Sequence, residues 1–182
     1  DSEPASCVFT LYNSFASTGK GHGTDRALIA GLLGLSADDI RLRDAYELAE
    51  QRGLAVRFET AGRSDLHPNT VDLAITDQAD RRLEVRGVST GGGQARITRI
   101  NSIEVDYTGQ YNTILINNID RPGVVASISS VLAEEQINIA FMRLYRERRG
   151  RQAFTFIETD EPLTQQVARH RVDRERRVGR RH

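Results

Sequence analysis

The sequence predicts an α+β protein built as two successive units, and three observations carry that reading. Short apolar runs with period-two alternation recur between turn residues, most clearly at Val71, Leu73 and Ile75. Two longer stretches with helical spacing separate the strands of the first half. Near Gly109 the pattern breaks and restarts as strand, helix, strand, strand. The 182 residues suffice for one domain or two small ones.

Residues 7–11 form an apolar run of strand length. A glycine-rich loop follows, then a helix over about 24–34, with Thr24 and Asp25 as N-cap candidates for the apolar run Ala27 to Leu33. Residues 39–53 read as a second helix. Leu42, Ala45, Leu48 and Ala49 share one face, and Gly53 suits the left-handed residue that ends a helix. Residues 54–58 and 70–76 alternate as strands, and 83–88 pairs with 70–76 as a hairpin across a turn at 77–80. Gly91, Gly92 and Gly93 interrupt the pattern. A last strand is expected over about 95–105, where the spacing of Ile97, Ile100 and Ile103 implies a bulge near Asn101.

After the boundary, residues 113–117 read as a strand. Pro122, in the turn 120–123, is placed to open a helix whose apolar stripe is Val124, Ile128, Val131 and Leu132. Residues 137–142 and 153–157 read as two more strands. This order is most of a ferredoxin-like β-α-β-β-α-β unit. A second helix is expected near Leu163, but no closing strand is legible. The division is therefore 1–109, 110–165 and a tail, 166–182. The arginine-rich tail reads as a disordered, solvated segment, and a shifted reading frame would yield a similar end.

Composition narrows the function. Twenty-five cationic residues balance 25 acidic ones, so no global field points to nucleic acid or membrane. Cys7 is the only cysteine, which excludes an intrachain disulfide and an all-cysteine cluster within this chain. The expected compartment is the reducing cytoplasm. No apolar run has the length of a membrane span. The polar, acidic start does not read as a signal peptide, and the lack of an initial Met reads as a fragment or a processed chain. Trp is absent, which argues against a base-stacking platform.

Three segments of the first unit concentrate glycine and polar groups. Lys20, the only lysine, lies between Gly19 and Gly21, with His22, Gly23, Thr24 and Asp25 following. Glycines that let backbone approach a ligand, a helix N-terminus and a point cation make an anion site for a carboxylate or phosphate. The spacing is not that of a P-loop, and a plain tight turn is the structural alternative. The second segment is His67, Pro68, Asn69 and Thr70. The third is Ser89 to Gly93, with Asn101 beyond it. His22 and His67 suit anion donation or proton transfer. Their separation lacks a metal-ligand spacing, so no metal ligands are assigned. Ser14 and Ser89 have no legible base, which argues against a nucleophilic triad. His67 as a turn cap and the triple glycine as a bulge are the structural alternatives; a backbone nest for a carboxylate is the functional one. In the second unit Asn118, Asp120 and Gly123 lie at a strand-to-helix turn where N–H groups would face a small carboxylate.

Taken together, these segments resemble the β half of iron–sulfur-dependent L-serine dehydratase, also called L-serine deaminase or L-serine ammonia-lyase, over roughly residues 7–160. The motifs that carry the resemblance are residues 11–25, Gly31-Leu-Leu-Gly34, residues 67–70, residues 87–93 and Ile100-Asn101. The second unit resembles an ACT domain, with Asp120-Arg-Pro-Gly-Val124 and Ile137-Asn-Ile139 as its marks. The first resembles the allosteric substrate-binding domain of some phosphoglycerate dehydrogenases.

The resemblance implies a lyase that converts L-serine to pyruvate and ammonia in amino-acid metabolism, feeding gluconeogenesis. It implies a 4Fe-4S cluster held by an α half, acting as Lewis acid on the serine hydroxyl. This chain is then a β subunit that needs its α partner for activity, and it begins downstream of a serine-rich, histidine-containing loop that usually opens the β half. The implied carboxylate site, for substrate or effector, comprises Lys20, His22, Thr24, His67, Asn69, Ser89, Gly91, Gly92, Gly93 and Asn101, with His22 the candidate catalytic group. The ACT unit is expected to pair with another copy and bind an amino acid at Asn118, Asp120 and Gly123. The alternative is a non-catalytic amino-acid-binding module, as in the C-terminal part of phosphoglycerate dehydrogenase.

Overall fold

The structure, a computed structural model, describes residues 3–19 and 21–160. Lys20, the helix expected near Leu163 and the basic tail lie outside the described residues. The chain divides into two compact units between Thr108 and Gly109. No helix among the described residues is long and apolar enough to cross a membrane.

The first unit runs β1 (Pro4–Tyr12), α1 (Asn13–Thr18), α2 (Thr24–Leu32), α3 (Ala45–Gln51), β2 (Ala55–Ala61), β3 (Thr70–Asp77), β4 (Arg82–Gly91), β5 (Gln94–Ile100) and β6 (Ile103–Tyr107). Its sheet has the order β2-β1-β3-β4-β5-β6. Only the β1–β2 pair is parallel. A parallel neighbour requires a long crossover, and the three helices supply it. Strand periodicity then sorts the side chains. Cys7, Phe9, Leu11 and Val71 turn to the helical face and form one core with Ile29, Ala30, Ala45, Ala49 and Leu54. Phe9, fully buried, stacks on its cross-strand partner Phe58 with ring centroids 4.7 Å apart.

Several local expectations change. Residues 39–53 are not one helix. The Asp39 carboxylate accepts from the Arg41 N–H at 2.9 Å and caps a 3-10 turn over Ile40–Asp44, so α geometry begins only at Ala45. Neither Thr24 nor Asp25 caps α2. That position belongs to Gly23 at φ +69°, with both residues already helical. The short α1 was not legible, since its six residues bury no side chain fully. The strand expected over 95–105 is a hairpin, β5 and β6. Asn101 turns the chain at φ +52° and exchanges hydrogen bonds with Glu84, donating its N–H to the carbonyl at 2.7 Å and accepting the Glu84 N–H on Oδ1 at 3.0 Å. The bulge lies earlier, between Ile97 and Arg99. Gly91, Gly92 and Gly93 form the β4–β5 turn with φ of +92°, +60° and +77°, a conformation L side chains rarely adopt. Gly53 ends α3 at φ +66°, as its placement predicts.

The sheet face opposite the helices carries charge. Asp72 on β3 lies across from Arg86 on β4, which lies across from Arg99 on β5. Arg86 grips the Asp72 carboxylate with two hydrogen bonds of 2.7 Å, Arg99 adds one of 3.2 Å and the Tyr12 hydroxyl one of 3.1 Å. Burial opposes ionisation of Asp72, but the hydrogen bonds and charge of Arg86, with Arg99 and Tyr12, outweigh it and hold the carboxyl below its usual range.

The second unit comprises β7 (Asn112–Ile119), α4 (Val124–Glu134), β8 (Ile139–Arg146) and β9 (Gln152–Thr159). Its antiparallel sheet has the order β7-β9-β8. Ile116, Leu132 and Ile157 centre its core, with Ile114, Ile128, Ile137, Ile139 and Met142 packed around them. Helix α4 starts after Gly123 at φ +89°, so Pro122 precedes the helix rather than opening it.

Two stability outcomes follow. Phe9→Ala removes a fully buried ring and should cost about 3–5 kcal/mol in denaturant unfolding. Asp72→Asn should cost roughly 2 kcal/mol near neutral pH, because it leaves two arginines facing each other. A carboxyl with a lowered folded pKa stabilises above its unfolded value near ~4 and loses that contribution as pH falls through the folded value. The gap between parent and variant should therefore close in acid; a gap of constant size from pH 7 to pH 3 would contradict the assignment.

Candidate functional site

The three glycine- and polar-rich segments of the first unit meet at one end of its sheet. The connection starts at Asn13, directly after β1, in the left-handed region at φ +49°. Its Nδ2 donates to the carbonyls of Arg63 at 2.8 Å and Leu66 at 3.2 Å, and its Oδ1 accepts the Arg63 N–H at 2.9 Å. One amide side chain thus clamps the β2–β3 loop to the start of the first motif. Helix α1 then presents N–H groups that have no intrahelical partner. Those of Ser14 and Phe15 donate to the Pro68 carbonyl at 2.9 and 3.3 Å. The Asn69 carbonyl in turn accepts the Ser89 N–H at 3.0 Å. The β3–β4 register, Thr70 opposite Val88, carries the strand onward from Ser89 to the turn Gly91–Gly93.

Within this assembly His67 has a defined role. Its Nδ1 accepts the Asn69 N–H at 3.2 Å, and its carbonyl accepts the Thr70 hydroxyl at 2.7 Å. The histidine caps its turn, and in the neutral ring Nε2 is left as the donor nitrogen. The ring is exposed. Gly19 closes α1: its N–H donates to the Phe15 carbonyl at 2.9 Å, and its carbonyl accepts the Thr24 N–H, also at 2.9 Å. A Cβ at Gly19 would lie 2.7 Å from the Phe15 oxygen, so this glycine is demanded by close approach. His22 sits in the following turn, exposed, with its N–H on the Thr18 carbonyl at 3.2 Å. Asp25, in the first turn of α2, accepts the Tyr46 hydroxyl at 2.8 Å. Burial first, then Asp25, pushes the Tyr46 phenol up to about 12.

Asn101 is not brought to this assembly. It turns the chain at the other end of β5, roughly 20 Å from the glycine turn at strand rise. Its side-chain oxygen is engaged by Glu84, so its role is to hold a hairpin. Asn13, Tyr46 and the Asp72 cluster were missed by sequence reasoning. Asn13 stands inside the first motif, yet its partners lie about 50 residues away.

In the second unit Asp120 closes the end of the sheet. Its carboxylate accepts from Arg146 at 2.6 Å, its N–H donates to the Arg151 carbonyl at 2.8 Å, and its carbonyl accepts the Gly150 N–H at 3.1 Å. The Asn118 Oδ1 accepts the hydroxyl of fully buried Thr155 at 3.0 Å, while its Nδ2 is buried with no partner among the described residues. Gly123 supplies the left-handed N-cap of α4.

These residues do not fit an iron–sulfur cluster. Cys7 lies in the hydrophobic core, where burial pushes its thiol up to about 12, far from the thiolate a cluster requires. Among the described residues no three of His, Cys, Asp and Glu converge on a metal-sized site.

Comparison with known proteins agrees with the motifs. The serine dehydratase beta chain model matches residues 2–56, and the ACT domain model matches residues 112–174. The probable L-serine dehydratase beta chain of Bacillus subtilis is 36% identical over 165 residues, which is 91% of this chain and 74% of that protein. The L-serine dehydratase beta chain of Peptoniphilus asaccharolyticus is 38% identical over 160 residues, 87% and 72% of the two chains. The D-3-phosphoglycerate dehydrogenase of Bacillus subtilis is 23% identical over 146 residues, but these are only 27% of that protein. With its motif segments joined, an ACT domain following them in the sequence and this level of identity across most of both chains, the protein belongs to the family of L-serine dehydratase beta chains.

Proposed function

We propose that this chain is the β half of an L-serine ammonia-lyase and that its first unit holds the carboxylate of the amino acid. The observation that supports this reading is the hydrogen-bonded assembly of Ser14, Pro68, Asn69 and Ser89 within a chain of this family. The reaction removes water across the Cα–Cβ bond of serine; the resulting enamine tautomerises and hydrolyses to pyruvate and ammonia. The 4Fe-4S cluster is assigned to the α partner, since the residues described here do not fit it. The work left to this chain is binding and orientation.

Lys20 provides the point charge for the carboxylate. His22 and the Nε2 of His67 donate hydrogen bonds, with Thr24, Asn69, Ser89 and the backbone of Gly91–Gly93 lining the remainder. The hydrogen bond from Asn69 to His67 holds that ring in the tautomer a carboxylate needs. His22, exposed in the turn before α2, is the group assigned to proton transfer. Serine is bound here as substrate, as effector or in both roles. The second unit takes part as an ACT domain of ferredoxin-like topology; among the described residues the order β7-β9-β8 leaves β7 at an edge, the place for a further strand or a second copy. Its strand-to-helix turn, with Asn118, Asp120 and Gly123, receives the regulatory amino acid. The enzyme works in the cytoplasm.

Mixing the chain anaerobically with its α partner, iron and sulfide should yield pyruvate from L-serine only when both chains are present. A complex that forms and stays silent would sink the catalytic reading, and no complex at all would leave only the amino-acid-binding role. In the assembled enzyme, Lys20→Ala should raise the KM for serine at least tenfold, the scale of one charged hydrogen bond, with little change in the unfolding midpoint. A parental KM would remove Lys20 from the site.

A further inference from the structure

The helix-free face of the first sheet holds two arginines bonded to a single carboxylate. Arg86 and Arg99 stand directly opposite each other on β4 and β5, an arrangement that repels. One carboxylate, Asp72, serves both: Arg86 meets it at 2.7 Å through two nitrogens and Arg99 at 3.2 Å through one. The other arginines nearby have carboxylates of their own. Arg63 is bound to Asp65 at 2.6 Å, and Arg96 to Asp106 at 3.2 Å. Glu104, across from Arg99 on β6, makes no ion pair with it among the described residues.

The hydrogen-bonded cluster sets two cations against one anion, with side chains only 16%, 31% and 19% exposed for Arg86, Arg99 and Asp72. The Nε of Arg99 is buried and has no hydrogen-bond partner among the described residues. A buried donor on a cation without an acceptor is costly, and a planar guanidinium fork matches an oxyanion. Asp72 already accepts from Arg86, Arg99 and Tyr12 and makes no bond to this Nε.

We infer that Arg99 and Arg86 form a binding site for one small oxyanion, a carboxylate or phosphate group, on the helix-free face. Tyr12 and Asp72 position the two arginines. The site does not include the joined segments of Ser14, Pro68, Asn69 and Ser89 and does not depend on the role proposed for them.

The test uses the full chain labelled with 15N. The Nε–H signal of Arg99, assigned by its disappearance in Arg99→Lys, is followed while acetate, L-serine or inorganic phosphate is added against chloride of equal ionic strength. Saturable movement with acetate and L-serine assigns a carboxylate ligand, and movement with phosphate alone assigns a phosphate group. The same titration should survive in Lys20→Ala, which separates this site from the other. A signal that stays still with all three probes, or follows chloride equally, overturns the proposal. A second measurement covers failure of the assigning variant to fold. Saturating the probe should raise the thermal midpoint of the parent by about 5 °C and that of Arg99→Gln by none. An equal rise in both chains overturns the proposal as well.

Discussion

Strand β1 is hydrogen-bonded on both sides, parallel to β2 and antiparallel to β3, and the burial of its odd-numbered side chains is the constraint on which the first unit rests. Cys7, Phe9 and Leu11 can reach the core only if the helices lie on one face of the sheet. The parallel partner requires a crossover, and the crossover contains those helices. Once Phe9 stacks on Phe58, the register of three strands is set, because a slip of one residue would turn every apolar side chain to the wrong face. The end of β1 then delivers Tyr12 to one face, and the next residue, Asn13, to the loop crown.

That geometry separates two kinds of chemistry. At the end of the sheet, backbone groups hold three loops together, with the Pro68 and Asn69 carbonyls as acceptors and Asn13 as a side-chain clamp. Few of these bonds involve charge; they fix the loops relative to one another through the backbone. On the helix-free face, ionic bonds replace apolar packing. Asp72, Arg86, Arg99 and Tyr12 do there what Phe9 and Leu11 do on the other side.

The second unit follows a different plan. Its central strand β9 is buried on both faces: Ile157 meets the helix, and Phe156 packs edge-on against Tyr145 at 5.6 Å. The turn before α4 is fastened to the β8–β9 hairpin by Asp120 through side chain and backbone alike. A loop held at three points is suited to presenting helix N–H groups in a fixed array.

Much of this was legible in the chain itself. Alternation of Val71, Leu73 and Ile75 marked a strand with one buried face, because period-two spacing is a property of the backbone. Gly53 announced a helix end for the same local reason, and the run from Leu11 to Asp25 was specific enough to indicate the family. Tertiary structure decided what depended on distant partners. Asp39 capping Arg41 broke a helix that periodicity alone would have continued, and Asn101 closed a hairpin by pairing with Glu84, which withdrew it from the site. The meeting of Ser14, Pro68 and Ser89 and the convergence of Tyr12, Asp72, Arg86 and Arg99 join residues up to 87 positions apart only through the sheet register, and register is set by which faces are buried across all strands at once, a quantity no local stretch of sequence contains.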